Sequence, residues 1–180
     1  MSRTEPPEPW RSFLAGVDSG LSEEVRLHCC GGFVATQLYG IVRSTIDVDF
    51  LGLVPYDASR RLIELGGKGS ALYRKHKVCL DAVTIATPPE DYEERLTPMF
   101  PGAWTHLRLF ALEAHDIALS KLVRNQPRDR DDVQALARAG YLNPDVLTAR
   151  YYKELRPNLP AHEDRHDLTL KLWLEAYWPK

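Results

Sequence analysis

The sequence predicts a mixed α/β protein, with a small twisted sheet of about four or five strands, flanking helices, and a final part made of helices alone. Two observations carry this. Residues 25–30, 46–53, 78–85 and 105–111 alternate with period two, and helical spacing fills the intervals between them. Near Glu113 the alternation stops, and only helical patterns follow. The expected division is a disordered arm over residues 1–9, an α/β core over 10–112 and a helical part over 113–180.

Taken in order, Trp10, Phe13, Leu14 and Val17 make the apolar face of a first helix that stops near Gly20. Val25, Leu27 and Cys29 then alternate with Arg26, His28 and Cys30, a strand running into Gly31-Gly32. Phe33, Gln37 and Leu38 predict a helix over 33–39. In the next strand Ile46, Val48 and Phe50 share one parity while Asp47 and Asp49 share the other. Residues 55–65 read as a helix capped by Asp57 or Ser59, with Leu62, Ile63 and Leu65 as apolar contacts. It ends in Gly66-Gly67-Lys68-Gly69-Ser70, read as a helix stop and flexible connection, since the spacing is not that of a Walker loop and no strand leads into it.

In the strand over 78–85, Asp81 interrupts the parity of Cys79, Val83 and Ile85. Pro88-Pro89 followed by acids opens a helix that Pro98 and Pro101 end. Leu107, Leu109 and Ala111 mark the fourth strand. The helical part starts with Ile117, Leu119, Leu122 and Val123 turned inward over 114–124. A second helix begins at 128–136 and closes at Gly140, and Asn143 before Pro144 and Asp145 starts a third that leads to Tyr151 and Leu155. The last, over about 162–177, packs through Leu168, Leu172 and Trp173.

The chemistry concentrates in two places. Asp47 and Asp49 point the same way, roughly 7 Å apart along a strand, and like charges at that separation call for a cation between them. A hard divalent ion with oxygen ligands, magnesium above all, is the natural partner. The strand ending in Gly31-Gly32 and opening a helix gathers backbone N–H groups and the positive end of a helix dipole, which suits a phosphate. Together the two halves fit a metal-bound polyphosphate.

Gly31-Gly32, Arg43, Thr45 and Asp47-Val48-Asp49 resemble the nucleotidyltransferase fold of the DNA polymerase β superfamily, in particular its bacterial AbiEii toxin-like branch. Many members carry Gly-Ser where this chain has Gly31-Gly32, the form of the toxin-like branch. Lys121 followed by Arg128-Asp129-x-x-Asp132 resembles the helical half of the same family. The resemblance implies transfer of a nucleoside monophosphate from a nucleoside triphosphate to an acceptor hydroxyl, on a tRNA or a protein, with two Mg2+ ions held by Asp47, Asp49 and Asp81. Asp81 fits the family's third carboxylate, from the neighbouring strand; an edge-strand aspartate in water is the other reading. Gly31, Gly32, Arg43, Thr45 and Lys121 are the implied nucleotide-binding residues, although ion pairing explains Arg43 and Lys121 equally well. A cognate antitoxin is the implied protein partner. The alternative is a catalytically inactive protein that keeps the fold as a binding or regulatory module.

Composition narrows the classes further. No apolar run approaches the roughly 20 residues of a membrane helix, and the polar, proline-rich start has no apolar signal segment, so a cytoplasmic protein is expected. With a formal net charge of −2, any RNA must meet a local patch, for which Arg124, Arg128, Arg130 and Arg138 are candidates, unless they pair with Asp129, Asp131 and Asp132. Cys29, Cys30 and Cys79 lack the spacing of a zinc site or disulfide framework and are expected as buried thiols. His162-Glu163-Asp164-Arg165-His166 spells the zinc-protease pattern, but it stands in a charged first turn and is expected as a solvated helix start.

Overall fold

The four alternating stretches and one short strand between them form a mixed sheet of five strands among the described residues. The computed structural model describes residues 5–84, 86–159 and 163–179. Two units result: one runs to Thr84 and resumes over Leu96–Ala111, and the other takes the segment ending at Arg95 and the chain from Leu112 onward.

In the first unit, α1 (Trp10–Ser19) buries Trp10, Phe13, Leu14 and Val17, and fully burying such side chains is worth about 1.5–3 kcal/mol each. Of the expected arm, the first four residues lie outside the described part. From Glu5 onward the chain meets the helix, where the Glu8 carboxylate accepts from Ser12 N and Oγ. At the other end of α1 the Asp18 carboxylate accepts from the N–H groups of Thr105, His106 and Leu107. Those bonds outweigh burial and hold its pKa below the usual value.

The central strand β1 (Val25–Cys29) pairs antiparallel with β2 (Asp47–Val54), and α2 (Gly31–Gln37) lies between them in the chain. After β2, a 3-10 turn at Tyr56–Ala58 leads into α3 (Ser59–Gly66), which has no side-chain cap, so neither Asp57 nor Ser59 plays the expected part. Ile46 also departs from expectation. It precedes the strand and is half exposed, whereas Val48 and Phe50 are buried.

The glycine cluster does not open a flexible connection: Ser70 accepts from Tyr73 N and caps α4 (Ala71–His76), a helix the weak apolar pattern concealed. β3 (Cys79–Ala82) then pairs with β2 and so neighbours the Asp-x-Asp strand as the resemblance implies, the pairing being parallel. Where a helix was expected after Pro89 there is only the 3-10 turn Tyr92–Arg95, and the chain is extended again from Thr97 onward. The unforeseen strand β4 (Thr97–Met99) contains Pro98, tolerated because β4 is an edge strand. β5 (Leu107–Ala111) pairs parallel with β1 and antiparallel with β4, giving the order β3-β2-β1-β5-β4.

The second unit is built on α5 (Ala114–Leu122), every residue of which is buried. Around it stand α6 (Pro127–Arg138), α7 (Pro144–Arg150) and α8 (Glu163–Tyr177). Asn143 caps α7 as its sequence suggests, accepting from Asp145 N and Val146 N. In α8 the inward residues are Leu170 and Trp173, while Leu168 and Leu172, expected to pack, are exposed. Among the described residues no helix is long and apolar enough to cross a membrane.

Candidate active site

Local geometry at Gly31 organises the first unit's polar face. Gly31 has φ +67, a conformation that favours glycine, and a Cβ built there would stand 1.8 Å from Asp49 Oδ2. The close approach lets Gly32 N donate to Asp49 Oδ2 at 3.3 Å, while Cys30 N donates to the Asp49 carbonyl at 2.9 Å. The Asp49 carboxylate thus sits against the opening of α2. Gly32 makes room of its own kind, since a Cβ there would press on the Arg43 guanidinium, 2.8 Å from Cζ. Thr45 Oγ1 donates to the Asp47 carbonyl at 3.3 Å, at the point where the loop enters β2.

Asp47 and Asp49 alternate with buried Val48 and Phe50, so their carboxylates share the partly exposed face of β2. Parallel pairing sets Asp47 beside Cys79 and Asp49 beside Asp81. In-register residues of a sheet share a face, about 4.8 Å apart, and Asp81 therefore joins the other two. β3 is an edge strand and Asp81 is exposed, so its carboxylate is hydrated and carries no burial cost, contrary to the picture of a charge set among apolar neighbours.

The three aspartates share the face without converging. Asp47 Oδ1 accepts from Cys79 Sγ at 3.2 Å and Asp49 Oδ2 from Gly32 N, and among the described residues no three His, Cys, Asp or Glu side chains already group as a metal site. Burial, the bond to Asp47 and the charges of Asp47 and Asp81 push the Cys79 thiol up to about 12, so at neutral pH it stays protonated and donates. Cys79 was legible in the sequence as the residue two before Asp81, on the same parity, but nothing marked it as a neighbour of Asp47. None of the three cysteines is in a disulfide, and all three are buried.

Lys121 belongs to the second unit. Its ammonium is buried and donates to Asp132 Oδ2 at 2.9 Å and Asp129 Oδ1 at 3.4 Å. Arg124 Nε donates to Asp129 Oδ2 at 2.8 Å and its guanidinium also meets Oδ1, while Gln126 N donates to Oδ2 at 3.0 Å. Burial pushes the Asp129 pKa up, but Arg124, Lys121 and the Gln126 N–H prevail and hold it low. The Arg128-Asp129-x-x-Asp132 element thus anchors Lys121 through ion pairs, and Arg124 pairs with Asp129 as one of the two readings of the arginines held. Of the zinc-protease pattern, His162 lies outside the described residues. Asp164 and Arg165 are exposed as a solvated helix start should be, but His166 is buried, since it lies on the inward side of α8 with Leu170 and Trp173.

A Gly-Gly turn opening a helix, an Asp-x-Asp strand beside it and a third aspartate in register on the next strand of a mixed sheet define the class of a nucleotidyltransferase-like protein. The chain belongs to the family described as nucleotidyltransferase of unknown function (DUF6036), whose family model matches residues 22–177. No curated protein and no solved structure matches it.

Proposed function

We propose that this protein is a magnesium-dependent nucleotidyltransferase that moves a nucleoside monophosphate from a nucleoside triphosphate to an acceptor hydroxyl. The observation that carries the reading is the Asp49 carboxylate, which abuts Gly31 on one side and is in register with Asp81 on the other. The donor set fits the metal: three carboxylates, all hard oxygen donors, on a face open to solvent. Asp47, Asp49 and Asp81 would hold it. When bound, magnesium neutralises phosphate charge and lowers the pKa of the attacking hydroxyl.

The chain's own residues do the rest. The absence of side chains at Gly31 and Gly32 lets Asp49 and Arg43 close on the opening of α2, and a polyphosphate would bind beside them. The acceptor oxygen bonds to the α-phosphorus as the α–β bridging P–O bond breaks, and pyrophosphate leaves. Asp81, the most exposed of the three, accepts the hydroxyl proton. Arg43, lying over Gly32, offsets charge developing on pyrophosphate. The acceptor is a hydroxyl of a tRNA end or a protein, and the resemblance to the toxin-like branch extends the proposal to a cognate antitoxin that restrains the enzyme.

Incubating the protein with each labelled triphosphate and a cell extract tests the reading. Magnesium-dependent release of pyrophosphate with label on RNA or protein is expected. No magnesium-dependent triphosphate binding by calorimetry, together with no release, would overturn it.

A further inference from the structure

The turn after α3 runs alongside β3, the strand that carries Asp81. Gly66 brings the end of α3 against β3: a Cβ there would meet Leu80 Cδ1 at 2.9 Å and Val17 Cγ2 at 3.0 Å. At Gly67 a Cβ would stand 2.5 Å from the Ile63 carbonyl oxygen, so only glycine leaves the helix along this path. Gly67 then pairs with Leu80 in a parallel bridge, extending the sheet by one residue beyond β3.

From there the chain turns sharply. Ser70 N donates to the Gly67 carbonyl at 3.0 Å, with Lys68 and Gly69 as the two corner residues, and Gly69 has φ +88, the left-handed second corner of a type II turn. The turn is fixed on its far side as well. Arg74 NH1 donates to the Gly69 carbonyl at 2.7 Å, and the Ser70 hydroxyl caps α4.

Of the two corner residues Lys68 alone has a side chain, and it is exposed. It follows Gly67 as Asp81 follows Leu80, and Asp81 is the register partner of Asp49. A face carrying three carboxylates repels a polyanion unless cations flank it. Arg43 lies toward Gly32, and Lys68 stands at the opposite, β3 edge.

We propose that Lys68 is a phosphate-binding residue of this site: the glycine turn holds its ammonium at the β3 edge, beside Asp81, to take phosphate oxygens of the nucleoside triphosphate. This rests on the nucleotidyltransferase reading above and adds a residue to it. A lysine serves as a point charge for phosphate, and the turn supplies its position.

The test is calorimetric titration of the full chain with inorganic tripolyphosphate plus magnesium, a probe independent of base preference, and with each of the four triphosphates. Lys68→Ala is expected to weaken binding about tenfold, the scale of one charge-assisted hydrogen bond. Lys68→Arg should restore most of it. Lys75→Ala, which removes an exposed charge from α4, should leave binding unchanged, and unaltered thermal melts would establish that the variants fold. Equal binding by wild type and Lys68→Ala would overturn the role of Lys68 and leave the function standing. An equal loss in Lys75→Ala would reduce the effect to general surface charge and overturn it too. A wild type that binds neither tripolyphosphate nor any triphosphate would overturn the function itself, and the role of Lys68 with it.

Discussion

The Asp49 carboxylate occupies the space that a side chain at Gly31 would need, with Oδ2 only 1.8 Å from the position of a Cβ. Two constraints therefore meet at one residue. The positive φ of Gly31 disfavours any L side chain by about 1–2 kcal/mol, and the contact would also drive Asp49 off the Gly32 N–H. Gly31→Ala is expected to destabilise the protein by about 1–3 kcal/mol and to weaken magnesium-dependent triphosphate binding. Urea unfolding and calorimetry check the two effects, and a variant unchanged in both would mean that position 31 imposes neither.

Asp47→Asn keeps an oxygen for the Cys79 thiol to donate to, while removing the charge. Stability should change by less than about 0.5 kcal/mol, as for other near-isosteric changes at partly exposed positions. Magnesium-dependent transfer should fall by roughly a hundredfold or more, since a metal's charge stabilisation is worth several kcal/mol. Retention of full transfer by Asp47→Asn would remove Asp47 from the proposed metal ligands.

Much of this was legible in the residues. The parity of Asp47 and Asp49 against Val48 and Phe50 is intrinsic to a strand, and Gly31-Gly32 between an alternating run and a helical one marks a turn of special backbone geometry. The pairing of 78–85 with 46–53, expected from the fold class, brought Asp81 into register with Asp49. Other features depend on tertiary partners and escaped the local pattern. β4 is three residues with a proline, held only by β5. α4 is six residues with Ala71, Leu72 and Tyr73 consecutive at its start, which gives no helical spacing to read. The burial of Lys121 comes from carboxylates eight and eleven residues away on another helix, a distance at which charge pairing is visible in sequence as composition but not as contact. Leu168 and Leu172 were misplaced because Leu170 and Trp173 define a different inward side of α8.

The Lys121 cluster carries its own stability prediction. Asp132 accepts the closest hydrogen bond of a lysine that is only 8% exposed, and a buried charge that loses its partner costs about 3–5 kcal/mol. Asp129 remains at 3.4 Å, so Asp132→Ala is expected near the lower end, about 3 kcal/mol. Lys121→Met with Asp132→Leu, which removes both charges, should cost less than Asp132→Ala alone. Urea denaturation of the three proteins measures this. A double variant as destabilised as the single one would show that packing, not charge, sets the cost.

The last prediction concerns acid. Glu113 caps α5 by accepting from His115 N at 3.0 Å, and its other oxygen meets His115 Nδ1 at 2.7 Å while Arg150 NH1 donates to the carboxylate. Asn143 N donates to His115 Nε2 at 2.8 Å, which assigns the ring proton to Nδ1 and makes that nitrogen the donor to Glu113. Burial pushes the Glu113 carboxyl up, but the hydrogen bonds from His115 and Arg150 and the charge of Arg150 prevail and bring it down to about 2 from an ordinary 4.5. A folded-state value below the unfolded one means that the unfolded chain binds the proton more readily. The stabilisation is therefore complete above about pH 4.5 and is lost as pH falls from there toward 2. Glu113→Gln keeps the shape and an acceptor but abolishes the titration, so its stability should be lower than wild type near neutral pH and less dependent on pH in that window. Urea unfolding at intervals from about pH 6 to pH 3 tests this: parallel curves for the two proteins would show that Glu113 is not a source of the acid sensitivity.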